Sequence, residues 1–144
     1  MTALTKERPG RFETISEDKV PVAANVKCLK GALAVYDTNA GTDKGHARPA
    51  ITDTNLVIAG RFAETVDNTG GAAGDKKVLI SFMREFTVFY LENDTGGTPV
   101  TAADVGSVCF LLDDTTVTAD ATGRSIAGEV HELVGTAFVG IRMS

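Results

Sequence analysis

The sequence predicts an all-β protein: a small antiparallel β-barrel or sandwich with an extended N-terminal arm and at most one short helical turn. Three observations predict it. Apolar residues come in short alternating runs, as pleated strands require. Turn formers break those runs every ten residues or so, which is the spacing of strands in barrels and sandwiches. The composition is 43% hydrophobic but only 6% aromatic, with 15 glycines and no Trp, which suits many short strands joined by tight turns. At 144 residues the chain makes one domain with a real core. Its expected division is an arm over residues 1–20 and a β-barrel-like domain over 21–144.

The stretch from Leu56 to Glu92 organises the rest. Leu56, Ile58, Phe62 and Val66 share one face of a pleated ribbon, and Gly60 falls on the same face. A glycine inside a strand pattern marks a bulge or a gap, so the ribbon is expected to bend there. Asp67 to Asp75 is a glycine-rich turn. In the return segment Val78, Ile80, Phe82, Phe86, Val88 and Tyr90 alternate, although Leu79, Phe82, Met83, Phe86, Phe89 and Tyr90 also fit a helical stripe. Aromatic and β-branched residues dominate and no helix cap brackets the run, which favours strand, with Arg84-Glu85 as a bulge or a boundary between two strands.

The other elements follow in order. Residues 1–20 are polar, with Leu4, Phe12, Ile15 and Val20 as the apolar punctuation. Val26 to Tyr36 is one bent strand or a strand pair around Gly31, Asp37 to Gly45 a loop, and Ala47 to Asn55 an extended lead into Leu56. Thr101 with Asp104 three residues later has the form of a capping box for one helical turn that stops at Gly106. Ser107 to Leu112 and Thr115 to Thr118 are strands. Ser125–Val134 and Thr136–Met143 form a closing hairpin through Gly135, with Ile126, Val130, Val134, Phe138 and Ile141 expected in the core.

No catalytic, cofactor or metal constellation emerges, so no enzyme is expected. His46 and His131 lie far apart and neither has metal-ligand spacing to a cysteine or another histidine. Gly70 to Lys76 lacks the spacing of a phosphate loop. Asp37, Asn39 and Asp43 fail the EF-hand pattern, and these carboxylates, like Asp113 and Asp114, read as solvated turn residues. Cys28 and Cys109 sit in strands and read as buried thiols; two cysteines are not a disulfide framework. Net charge is -5, from 14 Lys+Arg against 19 Asp+Glu, which gives no footprint for a nucleic-acid backbone. Met1 to Gly10 is polar with no apolar segment behind it, and no stretch is long enough to span a bilayer. The expectation is a soluble chain made in the cytoplasm, without nucleic-acid or membrane partners, that works by sticking to something.

Pro21-Val22-Ala23-Ala24, Lys30-Gly31-Ala32-Leu33, Gly60-Arg61-Phe62-Ala63, Val66-Asp67-Asn68 and Gly71-Ala72-Ala73-Gly74-Asp75 together resemble the capsid decoration (cement) proteins of tailed bacteriophages and prophages. Ala103-Asp104-Val105-Gly106, Asp113-Asp114-Thr115-Thr116-Val117 and Arg124 to Val130 continue the likeness, which runs in order from Pro21 towards the C-terminus. It departs at Arg84 to Glu92, which is more aromatic than the family pattern, where a glycine usually opens the next strand. The resemblance implies a virion protein on the outer capsid surface, made in the host cytoplasm, often a homotrimer at threefold positions, that bridges neighbouring major capsid protein subunits without catalysis or cofactor. On that reading the capsid-binding residues are Phe12, Ile15, Pro21 and Val22 of the arm side and Phe86 and Phe89 of the aromatic segment. The alternatives are another virion structural module of the tail or fibre, or a carbohydrate-binding module; the absence of Trp and the presence of only Tyr36 and Tyr90 count against the latter.

Overall fold

The computed structural model describes residues 16–143. Twelve strands follow one another: β1 (Glu17–Pro21), β2 (Lys27–Cys28), β3 (Leu33–Asp37), β4 (Ala47–Pro49), β5 (Leu56–Phe62), β6 (Val66–Asp67), β7 (Lys77–Phe82), β8 (Phe89–Asn93), β9 (Val108–Leu111), β10 (Thr116–Thr118), β11 (Ile126–Val134) and β12 (Phe138–Arg142). The one helical element among the described residues is a 3-10 turn at Ala102–Asp104. There the Asp104 carboxylate accepts the Thr101 N–H at 2.8 Å. The chain is therefore mainly β, as its alternation requires.

Two larger units share the strands. β1-β7-β5-β3-β4 form a five-stranded antiparallel sheet, while β10-β8-β12-β11-β9 close into a barrel; β2 and β6 make a two-residue ladder beside the sheet. Every barrel pair is antiparallel except β8 with β10, which runs parallel. The sheet lies between two cores. Leu33, Val35, Leu56 and Met83 pack with barrel residues such as Leu111, Val117, Val130, Val139 and Ile141. On the other side Phe62, Val78, Ile80 and Ala34 pack with Val22 and Cys28. Cys28 and Cys109 are both fully buried, one in each core, and both are free thiols.

Gly60 is where the sheet bends. The β3–β5 register shifts between Ala34 and Val35, opposite Gly60 and Ile58. A side chain on Gly60 would collide with backbone of β7, its Cβ lying 2.8 Å from Phe82 Cα and 2.9 Å from Met83 N. The bulge also flips the side chains: Leu56 faces the barrel core and Phe62 the opposite core. Their expected common face is thus corrected, because one extra residue changes the parity of every later position.

Similar corrections apply further on. β7 and β8 are separate strands in different units, and the turn between them changes phase, so that Phe89 and Leu91 are buried while Tyr90 is exposed. In the closing hairpin Val130 and Ile141 are fully buried, but Ile126, Val134 and Phe138 are each about half exposed. Register shifts between Ile126 and Gly128 and between Val130 and Glu132 turn the outer ends of β11 over. Among the described residues no helix is long and apolar enough to cross a membrane.

Candidate functional site

The residues proposed from sequence separate sharply. Phe12 and Ile15 lie outside the described residues. Pro21 is exposed at the end of β1. Val22 is fully buried and Phe89 is 8% exposed, so both are core residues rather than surface anchors. Val22 donates its N–H to the Lys76 carbonyl at 2.9 Å, and Phe89 lies under the Arg61 guanidinium, 5.5 Å from its ring centre. Phe86 is the opposite case, at 95% exposure.

The backbone of Phe86 is as unusual as its exposure. Its φ is +68°, a left-handed conformation that a bulky L-residue adopts at a cost of roughly 1–2 kcal/mol. It sits in the turn between β7 and β8, closed by the Thr87 N–H donating to the Arg84 carbonyl at 3.1 Å. The ring stands at the mouth of an open cleft of about 630 Å³, whose other walls are Val88, Met143 and the side chains of Glu85, Glu129, His131 and Arg142.

Below that cleft the outer face of β11-β12-β8 is laid out in rows by the strand register. Glu129 faces Arg142 across the hairpin, Glu132 and Tyr90 flank Gly140, and Val134 faces Phe138, which in turn faces Glu92. Directly opposed residues point to the same side of a sheet. Arg142 pairs with the Glu129 carboxylate. The Tyr90 hydroxyl donates to Glu132 at 2.5 Å, and that bond pushes the phenol up from its ordinary pKa. The Tyr90 ring covers Gly140, whose Cβ would lie 3.0 Å from it. Met143, Phe138 and Val134 add exposed apolar surface at roughly half exposure each. Sequence alternation assigned Val134 and Phe138 to the core; the signal that could have moved them is their matched position on either side of the Gly135 turn.

The other candidate chemistry dissolves into structure. Asp37 is a turn acceptor for the Asn39 N–H at 2.9 Å and an ion-pair partner of Arg48 at 3.3 Å. Burial raises its carboxyl pKa, but the bonds from Asn39 and Arg48 together outweigh burial and hold it below the ordinary range. Asp43 accepts the Ala24 N–H at 2.9 Å. Asp113 accepts from the Thr115 N–H at 2.8 Å, while burial and then the neighbouring Asp113 charge push Asp114 up. Among the described residues no group of three or more His, Cys, Asp and Glu is placed to hold a metal ion.

The segments that carry the phage resemblance turn out to hold one another. The buried Asn68 amide donates to the carbonyls of Ala23 and Ala72 at 2.9 and 3.1 Å, and the Gly74 N–H donates to Val22 at 2.9 Å. Gly31 and Phe62 are joined by an N–H donated to the Phe62 carbonyl at 2.8 Å. In the second half the Gly106 N–H donates to Val130 at 3.0 Å, and the Leu33 N–H donates to Asp114 at 2.7 Å, tying the sheet to the barrel. These motifs are therefore architecture. Arg84 to Glu92, where the likeness breaks, supplies the exposed Phe86 and Tyr90. Comparison with protein-family models, with curated proteins and with solved structures returned no match.

Proposed function

We propose that this protein decorates the outer surface of an assembled phage capsid, bridging neighbouring major capsid protein subunits, most simply as a homotrimer, and that it has no catalytic role. The observation that carries the reading is Phe86: a phenyl ring held 95% in solvent on a left-handed backbone. Two costs fall on one residue of the free chain, a strained φ and an exposed ring, and a partner that covers the ring recovers the second. The interlocked turns support the same reading, because the likeness to decoration proteins falls on residues that determine this fold. Cementing needs only a modest interface per copy, since simultaneous contact with several subunits multiplies the affinity. Pro21 and Phe86 remain surface candidates, and Phe12 and Ile15 belong to the proposed arm.

The functional test is mechanical. Expanded, undecorated capsids are heated with and without saturating protein, and release of major capsid protein into the supernatant is followed. Disruption several degrees higher with the protein present is expected; unchanged disruption overturns the cementing role. The arm is tested by removing residues 2–15, which leaves β1 and its ladder to β7 intact. Capsid protection by that variant at wild-type occupancy overturns the assignment of Phe12 and Ile15.

A further inference from the structure

The two halves of the chain differ in surface chemistry. Residues 16–83, which build the sheet and its side ladder, hold eight Asp and Glu against eight Lys and Arg. Six of these cations are lysines, and all six are exposed. Residues 84–144, which build the barrel, hold nine Asp and Glu against three Arg and no lysine. Two of those arginines are committed to ion pairs, Arg124 with Asp120 and Arg142 with Glu129. The net negative charge of the chain therefore sits on the barrel half. Large exposed apolar side chains divide in the same way: among the described residues two, Leu29 and Val57, belong to the sheet half and eight to the barrel half.

Five of the eight share one wall. β9, β11, β12 and β8 are consecutive in the barrel. Their register sets Ile126 opposite Phe110, Val108 opposite Glu129, Glu129 opposite Arg142, Gly140 between Glu132 and Tyr90, and Phe138 between Val134 and Glu92. Opposed residues point to one side of a sheet, and Phe138, Gly140 and Arg142 alternate along β12. Val108, Ile126, Tyr90, Val134 and Phe138 thus stand together on the outside of the barrel, each between 37% and 53% exposed. The inward residues Cys109, Val130, Val139 and Ile141 pack in one core with Leu33, Val35 and Leu56 of the sheet half. We infer that this outer wall is the face laid against the capsid, that the capsid surface under it carries Lys or Arg among apolar residues, and that the lysine-bearing sheet half stays in solvent. This rests on the decoration reading and gives it an orientation, selecting Phe86 on the turn into β8 over Pro21, which pairs with Lys77. A lysine-free surface with aromatic and aliphatic side chains has the composition of an interface, and its single-signed charge favours a partner of opposite sign.

The test is a co-sedimentation titration of full-length protein on expanded capsids, comparing wild type with Phe138→Lys, Phe138→Glu and Ile126→Lys on the barrel wall and Val57→Lys on the sheet. Thermal melting of each free variant serves as a folding control. Phe138→Lys and Ile126→Lys should each bind at least ~10-fold more weakly, whereas Val57→Lys should stay within about twofold of wild type. At low salt Phe138→Glu should bind more tightly than Phe138→Lys, and the two should converge as salt rises. A second measurement needs no substitution: in the capsid-bound wild type Lys19, Lys27, Lys30, Lys44, Lys76 and Lys77 should react with an amine reagent at close to their rates in the free protein. Wild-type affinity in both barrel-wall lysine variants, or loss of reaction across the six lysines on binding, overturns the orientation. Weaker low-salt binding by Phe138→Glu than by Phe138→Lys overturns the basic partner surface. Absence of wild-type binding overturns the decoration reading itself, and the orientation with it.

Discussion

Replacing Gly60 with alanine is the sharpest probe of how the sheet is built. The new Cβ would sit 2.8 Å from Phe82 Cα and 2.9 Å from Met83 N, with the Ser81 carbonyl oxygen closer still. All of these are backbone atoms, so no rotamer change relieves the contact. Relief requires β5 to move away from β7, across the pairs Gly60 with Phe82, Arg61 with Ser81 and Phe62 with Ile80. Loosening two or three ladder bonds at about 1 kcal/mol each, with an overpacking cost of about 1–3 kcal/mol, gives a loss of roughly 3–6 kcal/mol. For a domain of this size that is a fall in Tm of roughly 10–20 °C. Gly31→Ala is the matched control: its φ is +92° with nothing within 4 Å of the added Cβ, so backbone strain alone acts, at about 1 kcal/mol. The assay is thermal and urea unfolding of both variants with the wild type. If Gly60→Ala costs no more than Gly31→Ala, β5 and β7 do not approach as described and the bulge argument fails.

Other outcomes follow from the same structure. Asn68→Ala removes two bonds to buried or half-buried carbonyls and should cost about 2 kcal/mol in urea unfolding, loosening the turn that ties Ala23 to Ala72. Burial pushes the Cys28 thiol up to about 11 and the Cys109 thiol up to about 12. Native protein at pH 8 should therefore resist a thiol reagent that modifies both cysteines once unfolded. Because these pKa values are raised in the folded state, the unfolded chain gives up its protons first. The stability they contribute is complete below about pH 9 and is lost as pH rises towards 11 and 12. Asp37 has the opposite sign: its pKa is lowered by Asn39 and Arg48 against burial, so its contribution is present above the ordinary carboxylate range and is lost as pH falls through the depressed value. Arg48→Met should accordingly flatten the acid limb of the stability profile.

Element positions were legible in the sequence because glycine, asparagine and proline punctuate it. The closing hairpin turns at Gly135 and the ribbon bends at Gly60, as their spacing requires. Which way side chains face was less legible. Parity along a strand carries across a bulge or a tight turn only if every extra residue is known, and shifts near Gly60, Gly128 and Val130 each reversed it. That is why Val134 and Phe138 moved from the expected core to the surface, and Phe89 the other way. Val22, expected as an anchor on the arm side, belongs to the second core for a related reason. A local pattern cannot show that a sheet has a core on both sides. Phe86 falls within the alternating run from Val78 to Tyr90 and reads there as a strand residue; its exposure depends on a left-handed turn between β7 and β8 that composition alone does not specify.

Attachment to a shell is tested by mixing the purified protein with undecorated expanded capsids, sedimenting them, and counting bound copies per major capsid subunit. Saturable binding near one copy per subunit is expected for trimers at the threefold positions. Absence of binding, or binding that never saturates, would contradict it.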